Sequence, residues 1–375
     1  MNTNDNMADP QPPAPVHGGD VERVAAQYGF MPEELLDFSA NINPAGPPPG
    51  VLRRLARDAR DVGLLMRYPE AELRELRQAI SRHADAPEEA IVIANGAASL
   101  IDAAVRAVEP KRCLLFAPSF SEYARVLAAT RCQTVTFRLD AERDFQLDVE
   151  GLERLFKSEQ VGLCILTNPH NPSGSLVRRP AVERIIRSAQ EACVRVLLDE
   201  AFIDYAVEES LTPVAAQFDN LVVVRSLTKF YAMPALRVGY SVASPRFAAA
   251  MRSHVPSWSV TTLAANAAVE ALRDASYAPQ TLKVNEAERA RLAAALASLG
   301  LRVYKSSANF LLARLPRRAP TAGVLRERLI AKHRVIIRDC SSYEGLAPGR
   351  FIRVAVRCLE ENIRLTEALR GSLTE

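Results

Sequence analysis

A single lysine, Lys229, follows the apolar run "LVVVRS" (221–226) by three residues, and Arg237 follows the lysine by eight. The end of a buried strand is a costly place for an ammonium. Loss of water there lowers a lysine pKa, and the neutral amine can form a Schiff base with an aldehyde. Other reactive side chains also stand where apolar runs end. "NGAAS" (95–99) passes from such a run directly into a helical pattern, so Gly96, Ala97 and Ala98 offer backbone amides of the kind that bind phosphate. An ordinary tight strand–helix turn is the plainer reading of that stretch alone. Asp199 closes "VLLD", either as a buried carboxylate with a cationic partner or as a helix N-cap. Phe120 follows "APS", and Asn171 lies within "NPHNPSG" (168–174).

A phosphate cradle, a flat apolar ring, an amide, a carboxylate and a lysine form one coherent set. Pyridoxal 5′-phosphate needs all of them. The lysine holds its aldehyde, the carboxylate keeps the pyridine nitrogen protonated so that the ring draws electrons, and the aromatic side chain stacks on the ring. On this reading Ser226 and Arg237 neutralise the cofactor phosphate while Lys229 holds the aldehyde.

The elements that must carry these residues alternate. Strands are expected at 90–95, 113–118, 133–139, 163–168, 195–200, 221–226 and 237–243, several of them apolar throughout, as in strands covered on both faces. Helical patterns such as "SLIDAAVRAVEP" and "AVERIIRSAQEA" lie between them, which predicts a doubly wound, mostly parallel α/β sheet. In such sheets ligands gather at the carboxyl ends of the strands, where the reactive residues fall. Beyond residue 284 the pattern changes. A helix over 285–300 closed by Gly300, then "LRVYKSSANFLLARL", the helix "TAGVLRERLIAKH", "RVIIRDC", "RFIRVAVR" and a terminal helix predict a small α+β domain. The expected division is a disordered lead-in at 1–16, an N-terminal lid and part of the small domain at 17–60, a large cofactor-binding domain at 61–284 and the C-terminal small domain at 285–375.

Composition narrows the classes. With 375 residues, 48% hydrophobic and 24% charged, the chain suits a soluble two-domain protein. A net charge of +3 without a Lys/Arg-rich block argues against nucleic acid. No apolar run approaches the roughly 18 residues of a membrane span. The polar, Pro-rich "MNTNDNMADPQPPAPV" lacks the basic and apolar regions of a signal peptide. Six cysteines without a CxxC read as buried free thiols in a reducing cytoplasm, and no metal site is expected.

In order along the chain, "NGAAS", "PSF", "NPHNPSG", "DEAF", "SLTKFYAMPALRVGY" and "FIRVAVR" resemble the fold-type I, aspartate-aminotransferase-like family of pyridoxal-phosphate enzymes over nearly all residues after 16. The resemblance implies that Lys229 is the Schiff-base lysine and that Asp199 pairs with the pyridinium nitrogen. It implies that Asn171 donates to the ring oxygen, that Phe120 stacks, and that Gly96, Ala97, Ala98, Ser226 and Arg237 hold the phosphate. Tyr68 in "RYPE" matches a tyrosine that crosses to the neighbouring subunit's phosphate, which implies a homodimer with shared sites. Phe202 of "DEAF" departs from the tyrosine that many aminotransferases place at the ring oxygen.

Within the family, "HGGD" (17–20) and "LLDFSANINPAGPP" (35–48) resemble the threonine-phosphate decarboxylases of cobalamin assembly more than the histidinol-phosphate aminotransferases. That implies decarboxylation of L-threonine O-3-phosphate to (R)-1-amino-2-propanol O-2-phosphate, with aminotransfer to or from histidinol phosphate as the alternative and a pyridoxal-phosphate-sensing regulatory module as a distant third. It also implies substrate contacts from His17, Asn41, Arg338 and Arg353. His17 would lie in a lid, or else be a surface residue at the edge of the tail. Arginine's planar fork bonds carboxylate and phosphate in pairs. By family match Arg353 holds the substrate carboxylate and Arg338 its phosphate. Arg357, four residues beyond Arg353, is either a third contact or a structural charge.

Overall fold

The computed structural model describes residues 18–373. In chain order its strands are β1 (Leu36–Asp37), β2 (Ile91–Ala94), β3 (Arg112–Ala117), β4 (Gln133–Arg138), β5 (Leu163–Thr167), β6 (Arg195–Asp199), β7 (Leu221–Ser226), β8 (Gly239–Ala243), β9 (Arg302–Val303), β10 (Phe310–Arg314), β11 (Val335–Ile336), β12 (Arg338–Asp339) and β13 (Phe351–Ala355). The seven strands expected between 90 and 243 form one sheet, ordered β2-β8-β7-β6-β5-β3-β4. Only β8 runs antiparallel to its neighbours; the other pairings are parallel.

Helices cover both faces, and the strand residues divide between them by alternation. Leu197, Val222 and Val224 enter one core, while Leu198 and Val223 enter the other. This explains why β5 and β7 are mostly apolar: every residue in them is buried. The edge strand β4 is mostly polar or half-exposed, as an unpaired edge requires.

A second sheet, β12-β13-β10-β9, is antiparallel throughout, and β1 pairs in parallel with β11. Phe38, Leu292, Leu296, Leu325, Leu329, Ile352 and Leu365 close a separate core there, so residues near position 38 pack with residues beyond 290. Two expectations need correction. The helix expected from 285 spans Tyr277–Ser298 without a break. Its first turn tolerates Pro279, whose missing N–H would have no intrahelical partner, and Tyr277 and Thr281 are both buried. "RVIIRDC" is not one strand: β11 belongs with β1, β12 belongs with β13, and Ile337 lies at the crossing. Four cysteines are buried, but Cys193 is exposed, in a left-handed turn after the helix Arg179–Glu191. Among the described residues no helix is long and apolar enough to cross a membrane.

Candidate active site

A cavity of about 660 Å³ opens where the carboxyl ends of β5, β6 and β7 meet the second sheet. Its wall includes Asn41, Ala97, Ala98, Phe120, Asn171, Asp199, Ser226, Lys229, Arg237, Arg338 and Arg353. Residues spread over more than 300 positions of sequence therefore reach one space.

The anion-binding corner follows from local backbone chemistry. β2 runs into the helix Gly96–Val108, whose first amides lack intrahelical partners. Gly96 stands at φ +75°, and a Cβ there would come within 2.8 Å of the Arg237 guanidinium. At Gly239 a Cβ would meet the Ala97 nitrogen at 2.8 Å, so the absent side chain lets β8 pass close under the helix start. Ser226 ends β7, and its hydroxyl lies 2.7 Å from that of Thr228. Two hydroxyls, one guanidinium and a helix N-terminus thus converge beside Lys229.

Lys229 leaves the strand end in the next turn. Its carbonyl accepts a hydrogen bond from the Asn43 amide at 3.1 Å, and the Asn43 side chain donates to the Phe230 carbonyl at 3.0 Å. Burial pulls the ammonium pKa below the ordinary lysine value; Asp199 opposes that pull, and Arg237 and Arg353 add to it. Its Nζ lies 5.9 Å from the centre of the Phe202 ring, so the residue in the family's tyrosine position presents a hydroxyl-free aromatic surface towards the amine.

Asp199 closes β6 and is held from two sides. The Tyr123 hydroxyl donates to Oδ2 at 2.5 Å, and the Ala201 amide donates to Oδ1 at 2.9 Å. Burial pushes this carboxyl above the usual carboxylate range, and those two hydrogen bonds and Lys229 counteract it. Tyr123 also touches Thr167 at 2.9 Å, and its ring meets Phe120 edge-on at 5.6 Å. Behind the "NPHNPSG" loop, His170 contacts the Pro118 carbonyl through Nε2 at 2.8 Å and Ser173 through Nδ1 at 2.7 Å. That tie holds the Phe120 and Asn171 loops together, and burial pushes the imidazole down to about 4.

Arg353 reaches across from β13. Its Nη1 donates to Asn171 Oδ1 at 2.6 Å and to the Tyr343 hydroxyl at 3.3 Å, and its Nη2 donates to the Ser39 carbonyl at 3.0 Å. The first of these bonds orients the Asn171 amide, leaving its NH2 end for another acceptor. Arg338 donates to Ser342 at 3.1 Å. Asn41 accepts from Asn309 through its carbonyl, while its side-chain oxygen is buried with no partner among the described residues. Gly18 and Gly19 reach the rim, where the Gly19 amide donates to Ser39 Oγ at 3.0 Å.

Arg357 and Tyr68 do not line this cavity. Arg357 lies beyond the end of β13 and forms an ion pair with Glu361 at 2.8 Å while donating to the Asp37 carbonyl, which makes it a structural charge. Tyr68 is 80% exposed, with its ring centre 4.9 Å from that of Trp258 and the two rings tilted by 34°. His17 lies outside the described residues. In the other direction, Tyr123, Thr228 and Tyr343 line the cavity without having been singled out. Tyr123 was signalled only by its place one helical turn after Phe120, and Thr228 by the hydroxyl spacing in "SLTK".

Comparison with known proteins agrees with this geometry. The family described as Aminotransferase class I and II matches residues 33–369. A threonine-phosphate decarboxylase of Salmonella typhimurium is 38% identical over 96% of this chain and 96% of its own length. A histidinol-phosphate aminotransferase of Methanopyrus kandleri is 32% identical over 96% of this chain and 93% of its own. The crystal structure of histidinol-phosphate aminotransferase from Sinorhizobium meliloti, in complex with pyridoxal-5′-phosphate, superposes with a TM-score of 0.86 at 26% identity, covering 98% of this chain and 99% of that one.

Proposed function

For a chain that belongs to the class I and II aminotransferase family, with the fold-type I architecture and pyridoxal 5′-phosphate as cofactor, we propose decarboxylation of L-threonine O-3-phosphate to (R)-1-amino-2-propanol O-2-phosphate, a step of cobalamin assembly. The observation that carries the reading is the meeting of Arg338 and Arg353, both only 6% exposed, on facing strands at one wall of the lysine cavity. An amino acid bearing a carboxylate and a phosphate engages both at once. Histidinol phosphate carries no carboxylate, so an aminotransferase would use Arg353 for a 2-oxo acid in its other half-reaction.

The residues present fit the cofactor. At the cradle Gly96 leaves the Arg237 guanidinium space that a Cβ would intrude on, and hydroxyl and amide donors converge there. In this reading the phosphate sits against Gly96, Ala97, Ala98, Ser226 and Arg237, Phe120 covers one ring face, the Asn171 amide donates to the ring oxygen, and Asp199 faces the ring nitrogen. When bound, the cofactor would supply an electron sink for the bond that breaks at the substrate Cα.

The chain's part is to choose that bond and to handle protons. Arg353 holds the carboxylate and Arg338 the phosphate, and the two anchors together fix rotation about Cα. Asp199, whose charged form the Tyr123 hydroxyl and the Ala201 amide favour against the effect of burial, would hold the proton on the ring nitrogen. Burial favours the neutral form of the Lys229 amine, the form that can take up the substrate's ammonium proton and return one to Cα. Phe202 and Phe310 keep water from this side of the amine and of Arg353. Asn41 and the segment at Gly18 and Gly19 would close over the substrate.

A second copy of the chain completes this reading. Val62, Leu65, Met66, Tyr68 and Trp258 are large apolar or aromatic side chains left exposed. Covering them in a homodimer would carry Tyr68 to the partner's cofactor phosphate. The protein is read as cytoplasmic.

The deciding experiment supplies L-threonine O-phosphate to the purified holoenzyme and measures carbon dioxide with no 2-oxo acid present. Steady release supports the decarboxylase. Turnover of histidinol phosphate that depends on 2-oxoglutarate, with no carbon dioxide from the threonine substrate, would move the assignment to the aminotransferase.

A further inference from the structure

Arg338 on β12 and Arg353 on β13 are direct partners in the antiparallel register. Like charges placed opposite each other across two strands repel, and burial removes the water that would soften the repulsion. Among the described residues neither arginine forms an ion pair with a carboxylate. One side chain touches both. Tyr343 lies with its ring centre 5.4 Å from the Arg338 guanidinium carbon, and its hydroxyl oxygen accepts from Arg353 Nη1 at 3.3 Å. It is 9% exposed and forms part of the cavity wall.

The position of that phenol is fixed by its loop. The Tyr343 amide donates to the Cys340 carbonyl at 3.1 Å, and the Leu346 amide donates back to the Tyr343 carbonyl at 3.3 Å. Gly345, at φ +84°, brings the same loop against the end of β3, where a Cβ would lie 3.2 Å from the Ala117 carbonyl carbon. Tyr343 is therefore braced between the two sheets.

We propose that Tyr343 is a specificity-determining residue that divides the anion site, committing Arg353 to the substrate carboxylate and Arg338 to a second, phosphate-type anion. The two ends of the side chain do different work. The hydroxyl oxygen accepts a hydrogen bond from Arg353, so its own O–H is left to donate to a carboxylate oxygen beside that arginine. The ring face holds the Arg338 guanidinium by cation–π attraction, away from the carboxylate half. Without the divider, one anion could draw both guanidiniums to itself, and the site would no longer demand two. The inference rests on the substrate reading given above.

The test compares Tyr343→Phe with Tyr343→Leu in the holoenzyme, using spectral titration to obtain dissociation constants for L-threonine O-phosphate and for L-threonine. Loss of the hydroxyl alone should weaken both ligands by the same factor, roughly three- to tenfold for one long charge-assisted bond. Loss of the ring should in addition cut the preference for the phosphorylated ligand by about three- to thirtyfold. A Leu variant that keeps the full preference, or a Phe variant that binds both ligands unchanged, overturns the inference. If circular dichroism shows the Leu variant unfolded, the Phe variant decides: equal weakening supports the divider, and an altered preference overturns it. Unsubstituted protein that binds the two ligands equally well would instead remove the substrate reading, and the divider with it.

Discussion

The hydroxyl of Tyr123 donates to Asp199 over 2.5 Å, joining the helix Ser121–Ala129 to the end of β6 beneath the cavity. The tyrosine is fully buried, and burial together with the adjacent carboxylate pushes its own pKa far above the ordinary phenol value. It therefore stays a donor at every physiological pH. If Asp199 serves the cofactor's ring nitrogen, Tyr123→Phe should weaken retention of pyridoxal phosphate by about ten- to a hundredfold, the worth of one hydrogen bond to a charged group. Equilibrium dialysis of the cofactor measures this. Unchanged affinity would mean that the Ala201 amide suffices to hold the carboxylate.

The lysine assignment is tested chemically. Borohydride treatment of the holoenzyme should leave a pyridoxyl group on the peptide containing Lys229, and Lys229→Ala should show neither the label nor the visible absorbance. A labelled peptide carrying Lys283 or Lys305 instead would sink the assignment.

For the shared site, Tyr68→Phe and Lys229→Ala chains are mixed and allowed to exchange. Each heterodimer should regain about one competent site, because the two damaged residues, one from each chain, fall in the same site and leave the other intact. Confirmed heterodimers with no recovered activity would place Tyr68 outside the catalytic assembly.

His170 gives a prediction about acid. Its imidazole is pushed down to about 4 from an ordinary 6.5, so in the folded protein it stays neutral between these values while the unfolded chain takes up a proton. Stability is thus undiminished above pH 6.5, falls as the pH drops through this window, and levels below about 4; the full difference corresponds to ~3 kcal/mol. Urea denaturation of His170→Gln should show a shallower loss between pH 6.5 and 4 than the unsubstituted protein. Equal slopes would show that the imidazole titrates near its ordinary value in the fold.

Much of the frame was legible because its physics is local. Most of the seven strands of the large sheet announce themselves as short apolar runs, and ligand-facing residues follow because chain direction fixes which end of a parallel strand is the carboxyl end. What stayed hidden depends on contacts that no local pattern carries. Tyr123 reaches Asp199 across 76 positions, and nothing in "PSFSEY" distinguishes it from an ordinary core tyrosine. Tyr343 sits in an irregular loop without periodicity. For Arg357 the sequence leaves a third contact and a structural charge both open, because alternation reads on past Ala355, where β13 has already ended. The split of "RVIIRDC" was invisible for a related reason, since two strands of two residues each in different sheets read as one apolar run.

The bond from Arg353 to the Ser39 carbonyl spans 314 residues. On a ribosome adding about 5–20 residues per second, these two groups are made roughly 15–60 s apart. Every residue assigned to the cofactor within one chain except Tyr68 lies between Gly96 and Arg237, on a sheet whose last strand ends at Ala243. The nascent chain can thus finish its cofactor cradle well before either substrate arginine exists. The order of synthesis separates the two halves of the site in time, and a pyridoxal phosphate captured early would brace the large sheet while Leu36 still waits for Val335.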